Sequence, residues 1–162
     1  MAGQVLRDCR VLDTPLDCAA AQAWLAAAGG AAGATVLFTG QVRDEAGAVA
    51  SLFLEHYPAM TEKSLERIAA EVGGRWPLAR VLAWHRVGHM VAGDTIVVVG
   101  VAAAHRAEAF EACCCLMDRV KTEVPLWKRV SGAGGDGDWV EARASDVKAA
   151  RRWREQGEED EH

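Results

Sequence analysis

The sequence predicts an α+β domain, and three observations carry that expectation. Apolar residues recur at helical spacing in some segments and alternate at strand spacing in others, and the two kinds are mixed without strict alternation. Glycine pairs and prolines punctuate these segments at short intervals. The 162 residues, 51% of them hydrophobic and 25% charged, can bury one core without disulfide or metal staples.

Taken in order, Thr14-Pro15-Leu16-Asp17 reads as a helix start, with Thr14 as cap, Pro15 at the first helical position and Asp17 where a capping box places an acid. This helix is expected to reach about Ala28 and to stop at Gly29-Gly30. Residues 34–42 are rich in β-formers and read as a strand, followed by a polar turn from Arg43 to Ala48. Residues 49–57 alternate, with Leu52, Leu54 and His56 on one face and Phe53, Glu55 and Tyr57 on the other. Thr61 opens a second helix whose stripe is Leu65, Ile68, Ala69 and Val72, ended by Gly73-Gly74. Strands follow at about 80–90 and 94–101, joined at Ala92-Gly93-Asp94. A third helix runs from about His105 to Lys121 with Phe110, Cys113, Cys114 and Met117 as its buried stripe, and Pro125 stops it. Gly132 to Gly137 reads as a flexible loop and Trp139 to Ala142 as a short strand. Residues 1–147 are expected to form one domain, and 148–162 a charged, partly disordered tail.

Charge and cysteine usage narrow the function. A net charge of −5 argues against general nucleic-acid binding, yet leaves room for a local basic pocket. Cys18 to Val42 carries no charge, but its Ala and Gly content is too weakly apolar for a membrane span, so a helix followed by a strand is expected. Five cysteines, three of them consecutive at Cys113, Cys114 and Cys115, form no CxxC pair. With no secretory signal, they read as free thiols in a reducing cytoplasm. No metal site is expected: His85 and His89 are four apart on one strand, about 13 Å, too far to share an ion. The glycine loop lacks the Lys-Ser/Thr of a phosphate loop.

The cations are the informative residues. Arg43 follows a strand, and His105-Arg106 sits at a strand-to-helix junction, where backbone N–H groups and the helix dipole favour an anion. Lys121 closes that helix, Lys128 lies beyond Pro125, and Arg129 and Arg143 follow. Each alone reads more readily as a surface charge. As a set they stand beside buried-type residues: Phe-Thr-Gly before Arg43, an apolar lead-in to His105, and Leu126-Trp127 before Lys128.

A family resemblance joins these residues. Phe38-Thr39-Gly40-Gln41-Val42-Arg43 is followed by Leu54-Glu55-His56-Tyr57-Pro58-Ala59-Met60-Thr61-Glu62-Lys63 and by Arg75-Trp76-Pro77-Leu78. Then come His85-Arg86-Val87-Gly88, His105-Arg106, Ala109-Phe110-Glu111-Ala112 and Met117-Asp118. Lys121, Pro125-Leu126-Trp127-Lys128-Arg129 and Trp139-Val140-Glu141-Ala142-Arg143 complete the series. In that order, across residues 34–146, the chain resembles the large, catalytic subunit of molybdopterin synthase. The resemblance implies an α/β hammerhead fold with an additional antiparallel β subdomain. It implies a sulfurtransferase of molybdenum cofactor biosynthesis, which carries sulfur from the C-terminal Gly-Gly thiocarboxylate of a small ubiquitin-like subunit to cyclic pyranopterin monophosphate, forming a dithiolene. It implies a homodimer within a heterotetramer, with no cofactor of its own.

The resemblance further implies a pocket for substrate and thiocarboxylate that contains Arg43, His105, Arg106, Lys121 and Lys128, with Arg143 reaching it from the other protomer. Lys121 would face the partner's C-terminal carbonyl as the acid–base group. Lys128 and the remaining cations would hold the phosphate and the developing charge. Ala59 stands where glycine is common, Leu126 where an aromatic is common, and the loop after Arg43 is short. Two other readings fit the residues. One is a non-catalytic module binding a phosphate ligand or a ubiquitin-like partner, and the other is a thiol enzyme using Cys113 to Cys115.

Overall fold

A computed structural model describes residues 3–44, 51–132, 135–139, 148, 151–154 and 156. The chain runs β1 (Leu6–Leu12), α1 (Cys18–Ala26), β2 (Ala34–Gln41), β3 (Ser51–His56), α2 (Pro58–Arg75), β4 (Leu78–Arg86), β5 (Gly88–Val91), β6 (Thr95–Ala103), α3 (Arg106–Glu123), β7 (Leu126–Gly132) and β8 (Gly135–Trp139). The strands form two sheets of four, ordered β1-β4-β6-β2 and β5-β3-β7-β8. The first is mixed, since β1 pairs parallel with β4 while β4–β6 and β6–β2 are antiparallel. Every pairing in the second is antiparallel. The fold is therefore α+β with a separate antiparallel sheet, as the resemblance implies.

The first sheet is covered on both faces, and its period-2 pattern sorts the side chains. Leu82, Trp84, Val98 and Ala102 meet Leu16, Ala21 and Leu25 at α1. Their sequence neighbours Val81, Ala83, Val97, Val99 and Val101 meet Leu65, Ile68, Val72, Ala109, Ala112, Leu116 and Val120 of α2 and α3. Covered on both sides, β6 consists of a near-continuous apolar run. Where this sheet ends, Leu52, Leu54 and Met90 of the second sheet pack on Val42 and Val87, with Val11, Ile96 and Leu126 at the margin. The chain passes from one sheet to the other at Gly88, whose φ of +86° a side chain would strain.

Several expected boundaries move. Leu6–Leu12 is a strand that periodicity does not predict. The first helix is capped by Asp17, whose carboxylate accepts from Ala20 N at 3.0 Å, so Thr14 and Pro15 lie outside it. Arg80 donates to the carbonyls of Trp24 (2.8 Å) and Ala27 (3.4 Å) at its C-terminal end, where a cation complements the dipole. The second helix starts at Pro58, a residue suited to the first turn, and runs through Gly73-Gly74 to Arg75. Thr61 is buried inside it and donates to Pro125 O at 3.2 Å. The expected strand 80–90 is two strands in different sheets.

In α3 the stripe is shifted: Ala109, Ala112, Cys113, Cys115, Leu116 and Val120 are buried, while Phe110 is 63% exposed and Cys114 is exposed. Of the expected loop at Gly132 to Gly137, Gly132 belongs to β7 and Gly135 to Gly137 belong to β8, with Gly132 opposite Gly135, and 133–134 fall outside the described residues. Trp139, where a strand is expected to start, is the last residue of β8 among the described residues, and 140–142 fall outside them.

Part of the expected solvated tail is helical and docked. Trp153 is 8% exposed in the groove between α2 and α3. Its Nε1 donates to Asp118 Oδ2 at 2.7 Å, its carbonyl accepts from Arg75 Nη1 at 2.7 Å, and its ring meets Trp76 edge-on at 5.8 Å. Trp153→Ala is expected to lower unfolding stability by about 3 kcal/mol, read as a shift of the urea midpoint.

His85 gives a second prediction. It is buried on β4, its Nδ1–H donates to Arg86 O at 2.8 Å, and desolvation lowers its pKa from 6.5 to about 4. Between those values the unfolded chain takes up a proton that the folded chain does not. This part of the stability is present above pH 6.5 and is lost on acidification towards 4, by up to about 3 kcal/mol. His85→Asn, which keeps an N–H donor, should flatten that component in denaturant titrations across the window.

Candidate functional site

The site begins where β2 ends. The β2–β6 register shifts between Gly40 and Gln41, a bulge that re-aims the strand. The next residue, Val42, is buried and held at both backbone groups. Its N–H donates to Asp94 O at 2.8 Å, and its carbonyl accepts from Gly93 N at 2.8 Å. Gly93 has φ +93°, so the turn that makes this contact calls for glycine. Arg43 follows this clamp and is exposed.

Lys121 reaches the same end of the molecule by another route. α3 starts directly after β6 and runs back along β6 and β2, with Cys113 Sγ 3.9 Å from Val99 O midway. Its last turn, which carries Lys121, thus lies toward the start of β6 and the end of β2. Leu126, just beyond, touches both the large core and the cluster that contains Val42 and Ile96. Lys128 sits on β7 opposite Leu54 of β3. Arg43, Lys121 and Lys128, all exposed, therefore come from β2, α3 and β7 to the seam between the sheets.

The other face of the second sheet, turned away from Leu52 and Leu54, carries exposed large apolar side chains. Trp127 is 51% exposed, and Phe53 lies under the Arg129 guanidinium, 5.7 Å from its ring centre. Tyr57 and Met60, beyond β3, are also exposed. Converging cations at the seam suit an anionic ligand, and the exposed apolar surface on the other face of the sheet suits a partner chain.

The structure does not bring His105 and Arg106 to this seam within one copy. His105 is the N-cap residue of α3, and fifteen positions separate Arg106 from Lys121, about 22 Å along the axis. Their end of α3 has the backbone donors that favour an anion, with Glu108 also in the first turn. Arg143 lies outside the described residues. Sequence reasoning also passed over Arg86 and Asp94, whose ion pair stands behind Val42. The available signal was an opposite charge at each end of a segment with no other Arg, Lys, Asp or Glu.

His85 is buried on β4 while His89 is exposed on β5, so the two lie in different sheets. Among the described residues, no group of three or more His, Cys, Asp or Glu could hold a metal ion.

With this geometry in place, comparison with known proteins is direct. A family model described as MoaE protein matches residues 11–123. The chain is 53% identical to the molybdopterin synthase catalytic subunit of Pseudomonas aeruginosa over 125 residues, covering 76% of this chain and 83% of that one. It is 54% identical to the subunit of the same name from Escherichia coli over 123 residues, covering 75% and 81%. It also resembles the solved molybdopterin biosynthesis MoaE protein of Burkholderia ambifaria, with a TM-score of 0.78 and 44% identity, covering 91% and 98%.

The cysteine triplet is poorly placed for nucleophilic chemistry. Burial pushes the Cys113 thiol up to about 12 and the Cys115 thiol to about 11, so neither supplies thiolate near neutrality. Cys114 faces outward, 3.3 Å from Arg152 Nη2. Iodoacetamide is expected to label Cys114 ahead of Cys113 and Cys115, which should react only on unfolding, as peptide mass mapping would read. A fast-reacting Cys113 would contradict the packing.

Proposed function

Since the chain belongs to the MoaE family, we propose that it works as the catalytic subunit of molybdopterin synthase. It transfers sulfur from the C-terminal thiocarboxylate of a small ubiquitin-like subunit to cyclic pyranopterin monophosphate, forming the dithiolene of molybdopterin. The observation that carries the reading is the arrival of Arg43, Lys121 and Lys128 from three elements at the one seam between the sheets.

The chemistry needs those cations. A cyclic phosphate and a thiocarboxylate are both anions and must be held together. Arginine offers a planar fork to phosphate oxygens, and lysine a mobile point charge. The thiocarboxylate sulfur bonds to a side-chain carbon of the pterin as a carbon–oxygen bond at that carbon breaks, the oxygen leaving as water or on the phosphate, and water then adds to the acyl carbon. Collapse of the resulting oxyanion breaks the acyl carbon–sulfur bond, leaving sulfur on the pterin and a carboxylate on the small subunit. A second thiocarboxylate repeats the step at the neighbouring carbon. Lys121 faces that oxyanion and handles its protons, while Lys128 and Arg43 hold phosphate and developing charge.

His105 and Arg106 enter this pocket from a second copy. With about 22 Å between Arg106 and Lys121 on one α3, a ligand the size of a pterin cannot span both. A two-fold dimer that sets the N-terminal end of one α3 against the seam of its partner joins the two sets twice over. Arg143 is assigned to the same shared pocket, also from the other protomer.

No helix among the described residues is long and apolar enough to cross a membrane. We place the protein in the cytoplasm, where its five free thiols stay reduced.

A single-turnover assay tests the reading. The protein is mixed with thiocarboxylated small subunit and cyclic pyranopterin monophosphate, and the product is followed as its oxidised fluorescent derivative. Lys121→Ala and Lys128→Ala should each slow product formation by about 10²–10³-fold, as loss of one charge-stabilising contact does. Near wild-type rates in both would refute the assignment. Small-subunit binding without any turnover would point to the non-catalytic module.

A further inference from the structure

We infer that Arg86 and Asp94 form a positioning pair for Arg43. This rests on placing Arg43 in the substrate pocket, but the pair's own geometry stands apart from that reading. Asp94 lies in the turn between β5 and β6. Its Oδ2 accepts from Val91 N at 2.9 Å, and its own N–H donates to Val91 O at 3.0 Å, so the turn closes on itself. Arg86, from the end of β4, brings Nη1 to 3.6 Å from the same Oδ2, with Nη2 3.5 Å from His89 O. One guanidinium thus ties β4 to both β5 and the turn.

That turn is what grips Val42. Val42 N–H to Asp94 O and Gly93 N–H to Val42 O, both 2.8 Å, fix the peptide groups on each side of Val42. Arg43 is the next residue, so the plane from which its side chain departs is set by the turn. The order of support runs from Arg86 to Asp94, from Asp94 to Val42, and from Val42 to Arg43.

Stability alone is a poor reason for this pair. The Arg86 side chain is only 13% exposed, and its buried Nε has no acceptor among the described residues. Desolvating a guanidinium and leaving a donor unmet costs free energy that a single ion pair at 3.6 Å does not clearly return. An apolar side chain would fill the space with less penalty. What the charged pair supplies is direction, because guanidinium and carboxylate meet in few geometries.

The test is a double-mutant cycle read in the complete synthase. Asp94→Asn keeps an acceptor for Val91 N but removes the charge, and Arg86→Met keeps the apolar stem. Each is expected to lower kcat/KM for the pterin by about ten- to a hundredfold, mainly through KM, as small misplacements of a binding group do. Amide exchange at Val42 and Gly93 should quicken, and Arg86→Lys should recover most of the loss. On an Arg43→Ala background neither change should cost anything further. Losses that multiply on that background, or wild-type kcat/KM in Asp94→Asn, would overturn the positioning role. Unchanged exchange at Val42 would overturn it even if activity fell. Wild-type turnover in Arg43→Ala would remove the pocket assignment, and the proposal with it.

Discussion

The structure depends most on one strand. β6 is hydrogen-bonded on both edges and buried on both faces, and the chain leaves it directly into α3. A helix that follows a covered strand without a long loop must return along it, because only that path buries its apolar stripe. The return fixes where the cations go. Residues at the start of α3 are held at one end of the sheet and residues in its last turn at the other. The separation of His105-Arg106 from Lys121 is thus a consequence of core packing, and a pocket that needs both ends needs two copies of the chain.

The second sheet completes one of those ends. Leu52, Leu54 and Met90 seal the end of the first sheet against Val42 and Val87, so the seam has a firm apolar floor. Arg43 beyond β2, Lys121 of α3 and Lys128 of β7 stand at the edge of this floor. Burying the floor costs nothing in polar groups, since Val42 has both its backbone partners in the turn at Gly93-Asp94. Precise cation placement follows from rigid elements beneath rather than from contacts among the cations, which repel one another.

Much of the fold was legible. The stripe of α2, the alternation of Leu52 and Leu54 against Phe53 and Glu55, and the reading of the uncharged 18–42 run as a helix followed by a strand all follow the periods of buried faces. The misses have physical causes. β1 carries Arg7, Asp8 and Arg10, and its partner β4 is remote in sequence, so nothing local marks it as a strand. Thr61 resembles a cap but spends its hydroxyl on Pro125. Phe110 resembles core but faces outward, since alanines and Cys113 fill the close approach of α3 to the sheet. Trp153 sits in a charged tail and is buried only because Asp118, Arg75 and Trp76 wait for it on two distant helices. Arg43, Lys121, Lys128, His105 and Arg106 stood out in the sequence by their apolar neighbours and the family pattern. Their division between two ends did not, because spacing along a chain does not reveal which way a helix returns.

The most direct test of this account is complementation between two inactive copies. Lys121→Ala chains and His105→Ala/Arg106→Ala chains are given different affinity tags, and mixed dimers are isolated through both. If each pocket takes Lys121 from one copy and His105-Arg106 from the other, one pocket of every mixed dimer is intact, and about half of wild-type turnover returns. A mixed dimer as inactive as its parents would mean that one copy supplies the whole pocket, and would contradict the account.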